Sequence, residues 1–197
     1  MQERETPLDR ANLRSRTLAV LSRGGWAKAD VRLVRDGETL VIVKDFGSGP
    51  GLLRRWISPW FLRREMRAYG FLSDHPCVPR LIRSLDRRAF VLEYRPGERL
   101  SRSLRGRVSN TFISELRSAI RGCHARGVVH LDLRHRSNVL AGEDGHPVLL
   151  DFASAICIPP ERGSLRWILG LLRRVDESAL RKWEQRLGNQ DSGAPAS

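Results

Sequence analysis

Long apolar runs are missing from this sequence. The most apolar uninterrupted stretch, residues 167–172, is far too short to cross a bilayer, so the chain is expected to be soluble or peripheral. Cysteine is scarce. Cys77, Cys123 and Cys157 are odd in number, scattered and without metal-ligand spacing. That speaks against a disulfide framework or a zinc site and points to free thiols in a reducing compartment. The polar start, Met1 to Thr6, has no secretory pattern, so no signal peptide is expected. No internal repeat is found. Acid is also in short supply: 22 Asp and Glu stand against 35 Lys and Arg, a formal charge of +13. Such a balance favours anionic partners, whether nucleotide, nucleic acid or anionic membrane. No nucleic-acid reading motif is present, which makes nucleic acid the weaker of the three.

What is there is a globular composition, 41% hydrophobic over 197 residues, enough for one domain or two small lobes. Residues 1–16 are charged and weakly patterned, and a frayed or loosely helical arm is expected. A strand over 17–22, a loop through Gly24-Gly25, a strand near 31–34, an Asp36-Gly37 turn and a strand over 39–46 follow. On the last of these Leu40, Ile42, Lys44 and Phe46 share a face. A lysine among apolar neighbours needs an anion, or else snorkels to solvent at the strand end. Gly24 and Gly25 could cradle phosphate with backbone N–H groups, or form an ordinary turn; the sequence is not Gly-x-Gly-x-x-Gly.

A flexible Gly-rich connector over 47–51 precedes Ser58-Pro59, which reads as an N-cap and first helical position, so a helix is expected from there to about Leu72. Phe61, Glu65 and Tyr69 share one side of it. An acid on an apolar face needs a partner: Lys44, or else Arg63 or Arg64 at the surface. Strands over 79–85 and 89–93, a connector at Arg95-Pro96-Gly97, and an amphipathic helix over 109–126 closed by Gly127 come next. Near the end the pattern predicts one helix through Leu165, Ile168, Leu169, Leu172 and Val175. A second short helix starts behind Asp176, and residues 188–197 form a disordered tail.

The chemistry gathers between His130 and Asp151. Asp132 and Asn138 follow the long helix, and Asp151 ends a strand. Between them lies a hairpin pattern with Asp144-Gly145 at its turn. The hairpin would return Asp151 to the side of Asn138. An amide oxygen and a carboxylate together suit Mg²⁺, which takes oxygen ligands and keeps other positions for water and phosphate.

Lys44 on a third strand, Glu65 on the next helix, His130-Leu-Asp132, Asn138 and Asp151-Phe152 occur in the order of the protein-kinase signature set. The chain resembles a minimal, atypical member of the protein-kinase-like superfamily, closest in appearance to RIO-type kinases and bacterial lipopolysaccharide-core (Kdo/heptose) sugar kinases. The segment Gly25-Trp-Ala-Lys-Ala-Asp-Val31 is similar to the RIO-type nucleotide loop. The likeness covers about residues 17–160. It implies an α+β, two-lobed protein-kinase-like fold: an arm (1–16), a small antiparallel-sheet N-lobe (17–94), a truncated helical C-lobe (95–187) and the tail (188–197). It implies ATP and Mg²⁺ as cofactors, with Mn²⁺ as a substitute. Lys44 would bind the nucleotide phosphates, Glu65 would hold Lys44, and Gly24 and Gly25 would cover the nucleotide. The backbone at Glu93 and Arg95 would meet adenine. Asp132 would act as the catalytic base, Arg134 would neutralise the transferring phosphate, and Asn138 and Asp151 would ligate metal. His130 would support the loop.

The departures are informative. The step from Asp132 to Asn138 is one residue longer than the kinase pattern, so a residue must bulge or Asn138 is displaced. Ala153 follows Asp151-Phe152 where the kinase pattern has Gly. No Ala-Pro-Glu follows, and the rest of the chain is short for a peptide-binding lobe. The leading expectation is transfer of the γ-phosphate of ATP to a hydroxyl, in protein Ser/Thr or, alternatively, in a lipid-linked sugar. The non-enzymatic alternatives are a nucleotide-binding pseudokinase scaffold and a basic adaptor. Two stretches, 52–64 and 165–174, mix Trp and Leu with Arg, a composition suited to an anionic membrane interface. The expected location is cytoplasmic, or peripheral at the inner face of the cytoplasmic membrane.

Overall fold

In a computed structural model of the chain, residues 6–24, 29–47, 52–159 and 166–187 are described, without side-chain detail for residues 52–58 and 166. The expected connector over 47–51 is described only at Gly47, and Gly25, most of the proposed nucleotide loop and the 188–197 tail lie outside these residues. The architecture is α+β, an antiparallel sheet with three helices. It divides into two compact units. One comprises Met1–Asp74 and Pro79–Arg95; the other comprises His75–Val78 and Pro96–Ser197.

The first unit is a five-stranded sheet in the order β1-β2-β3-β5-β4, with helix α1 (Leu52–Phe71). Its strands are β1 (Thr17–Ser22), β2 (Asp30–Asp36), β3 (Thr39–Asp45), β4 (Leu81–Asp86) and β5 (Ala89–Glu93). Alternation of apolar residues fixes the register, since a slip by one residue would turn every side chain to the other face. Leu33, Ile42 and Leu92 stand in one row across β2, β3 and β5; Val31, Lys44 and Phe90 stand in the next. The opposite face carries Val34, Val41, Val43, Ala89 and Val91.

That opposite face is covered by the arm. Residues 6–16, expected to fray, are docked: Leu8 and Leu13 are buried in the same cluster as those five residues. Arg10 bridges Asp45 (2.7 Å) and Asp86 (2.6 Å), and Arg83 donates to the carbonyl of Leu8 (3.1 Å). Two leucines in a charged segment give no periodicity to read, which is why the sequence suggested a loose arm.

Helix α1 also differs from expectation. It begins at Leu52 and runs through Pro59. Proline at that position gives up one i→i−4 hydrogen bond. Burial of Leu62, Glu65, Ala68 and Tyr69 downstream fixes the helix nonetheless.

The second unit contains α2 (Phe112–Ala125), α3 (Arg166–Leu187) and two small sheets. One pairs β6 (Gly97–Arg99) with β8 (Val139–Gly142) and β8 with β9 (Pro147–Leu149); the other pairs β7 (Val128–Val129) with β10 (Ile156–Cys157). The segment read as a connector at Gly97 is thus a strand. Gly97 is needed there: a Cβ would sit 2.5 Å from the carbonyl oxygen of Ala141. The expected tight turn is present, with Gly145 at φ 82°. The two helices expected after Asp151 are one, because Asp176 lies inside α3 on its buried side and caps nothing.

Candidate functional site

In the first unit, register places Lys44 on the sheet face that α1 supplies with Glu65. Lys44 Nζ donates to Glu65 Oε1, and both side chains are buried. Removing one partner of such a buried pair leaves an uncompensated charge. One row along the sheet from Lys44 stand Leu33, Ile42 and Leu92, with Ala19 paired to Leu33. An apolar row beside a fixed cation suits a ring system that ends in phosphate.

Gly24, at the mouth of the β1–β2 loop, donates its amide to Asp30 Oδ1 at 2.7 Å, and Arg32 holds Oδ2 at 3.1 Å. Asp30 therefore closes the loop, a role the sequence did not reveal. At the end of β5, the Glu93 amide donates to the Arg80 carbonyl (2.9 Å). Its carboxylate accepts from the Arg80 amide (3.0 Å) and pairs with Arg95 (3.2 Å). Burial works to raise the Glu93 carboxyl, but the Arg80 amide and the Arg95 guanidinium hold it below the usual carboxylate range. Glu93 and Arg95 are thereby fixed against each other.

In the second unit, the long step from Asp132 to Asn138 is taken up by two consecutive turns that share His135. The His135 amide donates to Asp132 O (3.3 Å), and the Asn138 amide donates to His135 O (3.0 Å). Asn138 stays bonded to Asp132 across this step. Its Nδ2 donates to both the carbonyl and the Oδ2 of Asp132, each at 2.9 Å. Its Oδ1 accepts from Ser137 (3.0 Å). The Leu150 amide donates to Asn138 O at 2.9 Å, so the hairpin brings Asp151 in directly after Asn138's neighbour. The structure brings Asp132, Asn138 and Asp151 together along one path in this unit.

Among the described residues two non-glycines have positive φ, Leu131 (69°) and Asp151 (61°), and both lie in this stretch. Such conformations cost free energy and persist where surrounding contacts hold them. The contacts are visible. His130 is buried between its partners: Nε2–H donates to Leu150 O (2.8 Å) and Nδ1 accepts from the Asp132 amide (3.3 Å). Its ring packs 4.6 Å from that of Phe152. Burial pushes the imidazole pKa down, which agrees with one nitrogen donating and the other accepting.

Asp176 is the residue the sequence reading missed. Buried inside α3, its carboxylate accepts from the His130 amide (2.9 Å), the Leu131 amide (2.8 Å) and His124 Nε2 (2.9 Å). Two turns further along, Trp183 Nε1 donates to Leu133 O at 2.9 Å. Helix α3 thus clamps the His130–Leu133 backbone from two points. A signal existed: Leu169, Leu172, Asp176, Ala179, Leu180 and Trp183 keep helical spacing, so Asp176 is an acid on an apolar face, as Glu65 is. Arg134 is exposed, and its guanidinium is bonded to Ser178 of α3.

The donor set fits a hard cation. Asp151 and Asn138 Oδ1 are oxygen donors, and among the described residues no group of three His, Cys, Asp or Glu side chains gathers as a self-sufficient metal cage. Mg²⁺ is commonly held in this way, by one or two protein oxygens plus substrate phosphate and water.

Comparison with known proteins points to the class first. No family model matches the chain. Partial matches at low identity to protein serine/threonine kinases support a protein-kinase-like relationship. The chain is 35% identical over 99 residues to CBL-interacting protein kinase 10 of Oryza sativa subsp. japonica, covering 46% of this chain and 22% of the relative. Aurora kinase A-A of Xenopus laevis is 31% identical over 110 residues, 51% of this chain and 26% of the relative. Serine/threonine-protein kinase C of Synechocystis sp. (strain ATCC 27184 / PCC 6803 / Kazusa) is 28% identical over 164 residues, 75% of this chain and 30% of the relative. The chain spans less than a third of the length of these relatives.

Proposed function

We propose that the protein is an ATP- and Mg²⁺-dependent phosphotransferase that moves the γ-phosphate of ATP to a hydroxyl, with protein Ser/Thr as the acceptor. The observation that carries this reading is the Asn138 amide fixed to Asp132 at 2.9 Å, immediately beside the strand that leads to Asp151. An active kinase needs a base and metal ligands held in this relation.

In this reading the first unit serves as the N-lobe and the second as a shortened C-lobe. The row of Ala19, Leu33, Ile42 and Leu92 receives the purine, and the backbone at Glu93 and Arg95 meets its polar edge. Gly24 and Gly25 belong to the loop over the phosphates. Lys44 binds the nucleotide phosphates, and Glu65 keeps its ammonium in place. Asn138 and Asp151 hold Mg²⁺, or Mn²⁺ in its stead, which would neutralise charge on the phosphate oxygens. Asp132 orients the acceptor hydroxyl and takes its proton as the new O–P bond forms and the bond to the departing ADP breaks. Arg134 neutralises the transferring phosphoryl group once it exchanges Ser178 for phosphate. Positioning and charge neutralisation supply most of the rate in such chemistry.

A second acceptor class has an observation in its favour. The exposed Trp167 and Leu171 on α3 suit a protein working at a lipid surface. A lipid-linked sugar hydroxyl, as in the lipopolysaccharide-core kinases, is therefore the alternative substrate; a RIO-type affinity goes with the protein acceptor.

The test combines two measurements. Mg-ATP is expected to raise Tm, because a ligand of the native state must stabilise it. Transfer of radiolabel from ATP to protein, and in parallel to glycolipid acceptors, is expected for wild type and lost in Asp132→Asn. Nucleotide binding with equal, background transfer in both would leave a pseudokinase scaffold. Absence of any nucleotide-dependent shift would leave a basic adaptor.

A further inference from the structure

Helix α3 clamps the catalytic stretch with one side and is bare on the other. Leu169, Asp176, Ala179, Leu180, Trp183 and Leu187 are buried. On the outward side Trp167, Leu171 and Val175, at i, i+4 and i+8, are 70%, 57% and 40% exposed. They form a single-file apolar stripe. Arg174 and Arg181, both exposed, run along one border of it, and Lys182 continues the line a further two turns on from Val175. Of the acids of the helix, Asp176 is buried and Glu184 is bonded to Arg117, while the exposed Glu177 stands between Arg174 and Arg181 on the same border, where the two arginines outnumber it. The inward side is fixed by the core, and much of the stripe's apolar surface is left in water.

Helix α1, in the first unit, carries a second face of the same chemistry. Trp60 is 57% exposed, with the Arg64 guanidinium 5.5 Å from its ring centre. Arg67 lies 5.6 Å from the Phe71 ring, and Arg63 is exposed beside them. The one acid in the described part of this helix, Glu65, points inward to Lys44.

We infer that the outward face of α3 docks on an anionic lipid bilayer. The apolar stripe calls for an apolar phase, and the cations along it call for anionic charge at the border of that phase. A bilayer rich in acidic headgroups offers both, with the helix lying in the interface plane. A nucleic acid would satisfy the arginines and lysine and leave Trp167 and Leu171 in water. A second copy of this chain, at +13, would bring like charge against the same arginines. Among the described residues no helix is long and apolar enough to cross a membrane, so the contact is made on the surface.

The experiment is co-sedimentation of the full chain with vesicles of phosphatidylglycerol in phosphatidylcholine at low salt, against phosphatidylcholine alone. Light scattering and binding of a labelled oligonucleotide are run alongside. Wild type is expected to partition onto the anionic vesicles and to be released as salt rises. Trp167→Ser with Leu171→Ser is expected to weaken partitioning about tenfold or more, and Arg174→Glu with Arg181→Glu by a similar factor. These side chains are exposed, and unchanged melting temperatures would establish that both variants are folded. No binding to anionic vesicles at low salt overturns the inference, as does equal binding by the Trp167/Leu171 variant. A dimer that this variant dissolves assigns the face to a second copy instead. Oligonucleotide binding lost in the same variant assigns it to nucleic acid. None of these outcomes depends on phosphotransfer, so the inference and the enzymatic reading can fail separately.

Discussion

At the scale of single residues the decisive feature is that two of the three signature carboxylates, Glu65 and Asp132, are placed by opposite means. Glu65 is held by charge in a buried pair with Lys44, whereas Asp132 is held by neutral groups, its carboxylate by the Asn138 amide and its backbone N–H by the His130 ring. Glu65→Ala leaves a buried ammonium behind and is expected to cost about 3–5 kcal/mol in urea unfolding. Asp132→Asn keeps the shape of the loop. It is expected to leave stability and the Mg-ATP thermal shift nearly unchanged while lowering kcat by about 10²–10⁴-fold. A large stability loss there would make Asp132 structural.

His130 gives a pH signature. Burial holds its folded pKa below its ordinary value of 6.5. The unfolded chain therefore takes up the proton first, and stability falls as pH drops below about 6.5. Glu93 and Asp86, whose pKa values are lowered, act in the same direction, but only once pH falls through the carboxylate range. Comparing Tm at pH 7.5 and 5.5 is expected to show a larger drop for wild type than for His130→Gln; parallel drops would take His130 out of the account.

At the scale of elements, α3 is the frame of the His130–Leu133 stretch. Asp176→Asn keeps the size of the side chain but sets an amide N–H against one of three donors. A loss of about 2–4 kcal/mol is expected, together with faster hydrogen exchange at the His130 and Leu131 amides. Exchange confined to other segments would show that the clamp does not hold the loop.

This element also marks the limit of what the sequence makes legible. β1 to β5, α2 and the hairpin through Gly145 could be read because alternation, helical spacing and turn glycines are local signals. The order of Lys44, Glu65, Asp132, Asn138 and Asp151 is a motif, and the structure pairs Lys44 with Glu65 and Asp132 with Asn138. The role of Asp176 is a long-range one, formed with backbone donors more than forty residues away, and its side chain resembles a helix cap in isolation. The docked arm failed for a related reason: Leu8 and Leu13 acquire meaning only against a sheet made later in the chain.

For the molecule as a whole, the arm is a test of how far folding of the first unit depends on residues outside the motifs. Leu8→Ala with Leu13→Ala removes two buried side chains from one cluster and is expected to lower stability by about 4 kcal/mol or more by denaturant titration. A change below about 1 kcal/mol would show the arm to be a passenger.

The excursion of His75–Val78 has a consequence for connectivity. The chain leaves the first unit after Asp74, spends four residues as part of the second, and returns at Pro79 before leaving again at Arg95. In the second unit Cys77 O accepts from the Leu149 amide at 2.8 Å, and the His75 ring meets Ala119 O at 3.0 Å. The two units are therefore stitched rather than strung. A protease cut at residue 95 severs one thread of three, and the pieces are expected to co-elute. A gene truncated there would encode the first unit with one loop, His75–Val78, left without the unit it belongs to.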